Sequence, residues 1–243
     1  MSHSDFAVVV PMANEENDFE PFITELTAVL NSLGCGVVYL VVDNVSRDRT
    51  FELCRTLSAN DPRFVTIYAP ENRNVVDAYL RGFAEALQRG HEYIIEMDAG
   101  MSHDPWAIPL FLEELAKGYR CVFGARFIPG GAIIDAPLRR KLLSRGGTLI
   151  SNLLLGTRLS DMTSGFQGFH ADIVASVIRY KLLSTAHFYQ TELRYLLRNE
   201  KYAELPISYR TPSPRVSKGA IRNALKVLWH YFVLRITGKP AAI

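Results

Sequence analysis

The sequence predicts an α/β protein whose first half is an open sheet of parallel strands covered by helices. Three observations carry this expectation. Apolar runs of strand length recur, the stretches between them have helix-like spacing, and the runs are apolar on both faces, as strands covered from above and below must be. With 243 residues, 48% of them hydrophobic and 21% charged, the chain is long enough to bury one core. No linker splits off a second domain, so residues 1–243 read as a single unit.

FAVVVPM (6–12) is the first strand, followed at once by the polar Asn14 and Glu15. VVYLVVD (37–43) is the second and ends on Asp43 and Asn44; in the NVSRDRT that follows Asp43, Ser46 or Asp48 can cap a helix. FVTIYAP (64–70) is the third. YIIEMD (93–98) is the fourth and ends on Asp98, after which Ala99 and Gly100 let a ligand approach the backbone, and Asp104 before Pro105 has the form of a helix N-cap. CVFGARF (121–127) is the fifth and carries Arg126. Beyond it lie the loop PGGAIIDAP, a basic segment with Arg139, Arg140, Lys141 and Arg145, then SDMTSGFQGFH and further helical periodicity.

From Leu205 to Ile243 there is no Asp or Glu, while Arg210, Arg215, Lys218, Arg222, Lys226, Arg235 and Lys239 are all present. Residues 219–239 mix aliphatic, aromatic and basic side chains. They suit either an interfacial helix at a membrane surface or a core helix whose cations snorkel to water.

Composition removes several function classes. Lys plus Arg at 27 against Asp plus Glu at 25 gives a net charge of +2, too balanced for a nucleic-acid-coating protein. Cys35, Cys54 and Cys121 form no CxxC pair, so a disulfide framework or zinc site is not indicated and a reducing, cytoplasmic setting fits. No apolar stretch reaches about 18 residues and the N-terminus lacks a signal pattern, so membrane contact is expected to be peripheral. No GxGxxG follows the first strand, which disfavours a dehydrogenase.

Ligands of open α/β sheets bind at the carboxyl ends of the strands, and Asp43 and Asp98 both end buried runs there. Asp43 suits a nucleotide contact or a turn equally. Arg126 suits a phosphate contact, because a guanidinium fork neutralises charge on a departing diphosphate. For Arg139, Arg140, Lys141, Arg215 and Lys218, phosphate contact and a solvated basic surface stand side by side.

PMANE (11–15), VVDNVSRDRT (41–50), MDAGMSHDP (97–105), GARFIPGG (124–131), LLSRGG (142–147), SDMTSGFQGFH (160–170) and ELPISYR (204–210) occur in an order and spacing that resemble GT-A glycosyltransferases of family 2. The dolichyl-phosphate mannose synthase-like group is the most similar. The resemblance spans roughly residues 6 to 220 and implies an open mixed sheet flanked by helices, binding a nucleotide-diphosphate sugar. It implies transfer with inversion to an acceptor, in the nearest group a polyprenyl phosphate, with GDP-mannose as the implied donor.

By the same resemblance Pro11, Ala13 and Glu15 lie along the nucleoside and Asp43 contacts the base. Asp98 is the first carboxylate of a DxD metal motif, with Ala99 and Gly100 beside the donor. Arg126, Arg140 with Ser144, and Lys218 surround the diphosphate. Asp161 to Phe166 wall the sugar and acceptor side, and Glu192 lies near the acceptor. The implied cofactor is Mg²⁺ or Mn²⁺.

This chain departs from the pattern where Gly100 replaces the second Asp, and one carboxylate with diphosphate oxygens makes a looser cation site than two. Asn44, Arg49, Pro212 and Arg215 also depart from it. Two other functions therefore stand beside the polyprenyl one: transfer to a saccharide acceptor, and a donor-binding subunit of weak activity. For a hydroxyl acceptor a carboxylate must take the proton, and Asp161 is favoured over Glu192. Replacing Arg126 by Ala is expected to cut turnover with the fold intact.

Overall fold

The computed structural model describes residues 5–210 and 217–243. All five expected strands form: β1 (Phe6–Met12), β2 (Val37–Val42), β3 (Phe64–Tyr68), β4 (Tyr93–Glu96) and β5 (Cys121–Ala125). Helices α1 (Phe19–Leu33), α2 (Thr50–Asn60), α3 (Val75–Gln88) and α4 (Ile108–Ala116) fill the intervals between them. The remainder comprises β6 (Ala132–Ile134), α5 (Leu138–Leu155), β7 (Gln167–His170), α6 (Ala171–Arg179), α7 (Tyr189–Leu196), β8 (Tyr202–Pro206), β9 (Ser208–Arg210) and α8 (Lys218–Ile236).

One seven-stranded sheet runs β3-β2-β1-β4-β7-β5-β8, and β6 pairs with β9 in a small parallel sheet. β1, β2, β3 and β4 are mutually parallel, as are β5 and β8, whereas β7 is antiparallel to both β4 and β5. The sheet is therefore mixed. Alternate residues of one strand feed two cores, Phe6, Val8 and Val10 on one face and Ala7 and Val9 on the other, which is why the runs lack polar alternation. The first core includes side chains of α1 and α4, the second those of α3, α6, α7 and α8.

Two segments differ from the sequence expectation. Arg140 and Ser144, placed in a basic loop, lie instead on α5, where Leu138, Leu142, Leu149 and Leu153 recur at helical spacing and Pro137 precedes the first turn. β7 lies inside the QGFH tail of the SDMTSGFQGFH motif, and its side chains Gln167 and Phe169 are buried.

Among the described residues no helix is long and apolar enough to cross a membrane. α8 is neither a core helix nor free of the core. Val227, Leu228 and Tyr231 are buried, while Ile221, Leu225 and Trp229 face solvent at i, i+4 and i+8.

Candidate active site

The loops that follow β1 and β2 are knitted into one rim. Asn14 adopts φ 60°, and its backbone N–H donates to Ser46 Oγ (3.2 Å) while its Oδ1 accepts from Arg47 N–H (2.8 Å). Glu15 N–H donates to Thr50 Oγ1 (2.8 Å) and Glu16 N–H to Asp48 Oδ2 (3.0 Å). Asp48 also accepts from Thr50 N–H, an Asx-type turn just ahead of α2, whose N-cap position is taken by Arg49 rather than by Ser46 or Asp48. Burial would raise the Asp48 pKa, but the hydrogen bonds from Thr50, Glu16 and Ser46 bring it down to about 2. Pro11 and Ala13 are half-buried at the end of β1. Asp43 accepts from Val45 N–H (2.9 Å), which is the turn role; any contact with a base must coexist with that turn.

Asp98 leaves β4 at the centre of the rim. Its Oδ1 accepts from Tyr79 Oη–H (2.8 Å), and its N–H donates to His103 Nδ1 (3.1 Å). His103 is buried between Phe166 and Tyr209, with ring centroids 5.0 and 5.2 Å away. Burial drives its pKa down to about 4, against the pull of Asp98, so the ring is neutral.

Gly100 has φ 69°, and a Cβ there would lie 2.6 Å from Glu15 Oε2. The Glu15 carboxyl thus crosses from the first loop to the backbone two residues beyond Asp98. Burial, then the charges of Asp18, Asp98 and Asp48, push it up to about 7.

Arg126 is buried and bidentate on Asp161, Nε to Oδ2 at 2.6 Å and Nη2 to Oδ1 at 2.9 Å; Nη2 also donates to Thr163 Oγ1 at 2.6 Å. Its guanidinium carbon lies 5.3 Å from the Phe127 ring centroid and 5.4 Å from that of Tyr209. Burial alone would raise the pKa of Asp161, but Arg126 and then Arg194 hold it below the ordinary carboxylate value. An anion held this way is a poor proton acceptor, which removes the reason to favour Asp161 as a general base.

α7 forms the floor beneath this pair. Arg194 is fully buried and donates to the carbonyls of Asp161, Gly124 and Ser164 and to Gln167 Oε1. Thr191 Oγ1 donates to the Met162 carbonyl (2.7 Å). From α5, Thr148 Oγ1 accepts from Met162 N–H (3.1 Å).

The other expected residues are more scattered. Glu192 is fully buried, and its two oxygens accept from Leu183 N–H (2.8 Å), Ser184 N–H (2.8 Å) and Tyr231 Oη–H (2.6 Å). It ties α8 and the 183–184 loop to α7. Arg140 is close enough to Tyr209 to act on its hydroxyl, together with Asp98 and Arg126. Ser144 is half-buried on α5, Lys218 is exposed on the first turn of α8, and Pro212 and Arg215 lie outside the described residues.

The sequence does not single out Tyr209, Tyr79 or Arg194, although Tyr209 stands inside the ELPISYR motif; Thr163 belongs to the expected Asp161–Phe166 wall. The structure therefore gathers Glu15, Asp98, Ala99 and Gly100 with Arg126, Asp161 and Tyr209 around the strand ends.

Among the described residues no three His, Cys, Asp or Glu side chains form a self-contained metal site. Asp98, at the end of β4, would be the protein ligand of a divalent cation whose other oxygens came from a bound diphosphate. When bound, such a cation supplies positive charge against a diphosphate leaving group.

Comparison with known proteins gives the family and the fold. The chain is 31% identical over 172 residues to undecaprenyl-phosphate mannosyltransferase of Micrococcus luteus, covering 70% of each chain. It is 28% identical over 236 residues to polyprenol monophosphomannose synthase of Mycolicibacterium smegmatis, covering 96% of this chain and 87% of that one. A crystal structure of glucosyl-3-phosphoglycerate synthase from Mycobacterium tuberculosis with Mn²⁺, UDP and its product superposes with a TM-score of 0.68 at 15% identity, covering 98% of this chain and 81% of the other. Its fold is the GT-A fold expected from the motifs. The profile named "Glycosyl transferase family 2" matches residues 7–178, the span that builds β1 to β5 and the Asp98 and Arg126 clusters. The match covers most of the chain, so the chain is a glycosyltransferase and belongs to glycosyl transferase family 2.

Proposed function

We propose that the enzyme moves a hexose, mannose on the example of its relatives, from a nucleoside diphosphate sugar to the phosphate of a polyprenol lying in a membrane surface. The observation that carries this is the pair of helices beside the site. α5 exposes Leu142 (60%), Leu149 (70%) and Leu153 (74%), and α8 exposes Trp229 (64%). Neither helix contains an acidic residue, and between them they carry Arg139, Arg140, Lys141, Arg145, Lys218, Arg222, Lys226 and Arg235. Exposed leucines and a tryptophan among cations suit the headgroup region of an anionic bilayer. Arg235 binds α8 to α5 by donating to the carbonyls of Leu153 and Leu154 (3.0 and 2.9 Å).

The chemistry favours the same acceptor. A phosphate oxygen is already an anion, so it attacks the anomeric carbon as the bond to the diphosphate oxygen breaks, with inversion and without a general base. Asp161, held as an anion by Arg126, and Glu192, bonded through both oxygens, then serve as positioning residues. Arg126 and Arg140 offset the charge of the departing diphosphate, and a divalent cation held by Asp98 would add positive charge there.

The test is to incubate the enzyme with labelled GDP-mannose, with and without chelator, and either vesicles containing polyprenyl phosphate or soluble saccharides. Label moving into the lipid, and lost with chelator, is expected. Label moving only into saccharides, or donor bound without transfer to either, overturns the proposal.

A further inference from the structure

α7 touches both the rim and the outward-facing α8, and all of its side chains are buried. Toward the rim, the Tyr189 ring lies 5.4 Å from that of Tyr79, the residue whose hydroxyl donates to Asp98 Oδ1 (2.8 Å). Thr191 Oγ1 holds the Met162 carbonyl (2.7 Å), and Arg194 holds the carbonyls of Asp161 and Ser164. The wall from Asp161 to Ser164 therefore rests on side chains of α7.

Away from the rim, Glu192 turns to α8. Its buried carboxylate accepts from Tyr231 Oη–H (2.6 Å) and from the N–H groups of Leu183 and Ser184 (both 2.8 Å). The next N–H, that of Thr185, donates to Asn223 Oδ1 on α8 (3.1 Å), and the Tyr231 ring packs on Tyr195 with centroids 5.0 Å apart. Asn223, Val227 and Tyr231 each follow by two positions, about 200° of helix rotation, the exposed Ile221, Leu225 and Trp229. One helix thus presents apolar side chains outward and bonds to α7 and its loop from the other side. A buried carboxylate is costly to leave unmatched, so the Tyr231 contact is either made or replaced by another arrangement, not gradually stretched.

We propose that Glu192 and Tyr231 form a latch through which a lipid surface sets the wall of the site. A bilayer seats α8, the seated helix keeps the Tyr231–Glu192 bond made, and α7 then fixes Asp161 to Ser164 in the arrangement that transfer needs. Both are positioning residues, since neither touches the reacting groups. The latch rests on the membrane and acceptor reading above and adds that the surface activates the site as well as presenting the acceptor. By linkage the effect is mutual: a filled site tightens the hold of α8 on the bilayer.

The test uses vesicles of anionic phospholipid that contain no acceptor, with GDP-mannose and the short soluble acceptor geranyl phosphate. For wild type, such vesicles should raise kcat roughly fivefold or more and slow backbone hydrogen exchange at residues 161–164. Asp161, Met162 and Ser164 are buried, so lipid does not shield them by direct cover. Tyr231→Phe keeps the ring on Tyr195 and removes only the hydroxyl. It should still co-sediment with the vesicles, yet lose most of the stimulation and of the slowed exchange. Thr191→Val, close in shape, breaks the other end of the path and should do the same; it decides the matter if Tyr231→Phe folds poorly.

Stimulation and slowed exchange that persist in these variants overturn the proposal. So does a wild type whose rate and exchange at 161–164 ignore the vesicles; transfer to geranyl phosphate then leaves the acceptor reading standing. If wild type transfers mannose neither to geranyl phosphate nor to polyprenyl phosphate in vesicles, the acceptor reading fails and takes the latch with it.

Discussion

Arg126 and Asp161 stand 35 positions apart in the chain, and neither announces the other in the sequence. Their pairing changes what a substitution does. Arg126→Ala leaves Asp161, fully buried, without its counter-ion, so the fold is not spared as motif reasoning alone expects. The cost should be about 3–5 kcal/mol, read as a fall in the denaturation midpoint along with lost turnover. Adding Asp161→Asn to that variant should restore part of the stability and none of the activity. The pair also sets a pH dependence. Asp161 has a depressed native pKa, so its stabilisation is full above the ordinary Asp value near 3.9 and is lost as pH falls through the lower native value. Urea midpoints measured from pH 7 downward should drop more steeply in wild type than in Asp161→Asn. Asp98 was legible because an acid ending a buried strand needs a partner; Arg194 was not, because its four acceptors are three carbonyls and a glutamine that only the fold assembles.

Elements follow the same division. β1 to β5 could be read from sequence because strands buried on both faces are continuous apolar runs, whereas β7 could not. Its Gln167 is satisfied in the core because its Nε2 donates to Glu96 Oε1 on β4 and its Oε1 accepts from Arg194 Nε on α7, a match only the fold makes. α5 was obscured by three consecutive cations and the Gly146–Gly147 pair, although its leucine spacing is helical. α3 offers a clean test of packing against propensity. Gly82 lies in the helix interior, where Ala is ordinarily better by about 0.5–1 kcal/mol, but a Cβ there would come within 2.3 Å of Val9 Cγ1 on β1. Gly82→Ala should therefore destabilise by about 1–3 kcal/mol, measurable by chemical denaturation; a stabilised variant would show that α3 can shift off the sheet.

At the scale of the whole molecule, the basic and apolar surface of α5 and α8 predicts attachment to a bilayer. The variant carrying Leu149→Glu and Leu153→Glu should lose co-sedimentation with anionic vesicles. Its melting temperature should hold, because both side chains are more than two-thirds exposed and leave no cavity. Attachment should weaken as salt rises, with a residue that persists through the leucines and Trp229.

The antiparallel β7 has a further consequence for how the chain is made. β3, β2, β1 and β4 are complete once the ribosome has passed residue 96, but the free edge of β4 is closed only by residues 167–170. β5 emerges in the interval and has no permanent neighbour until that same strand arrives, with β8 following later. During synthesis the nascent chain therefore carries an unsealed strand border for some seventy residues of elongation, and chaperone dependence should concentrate in that window.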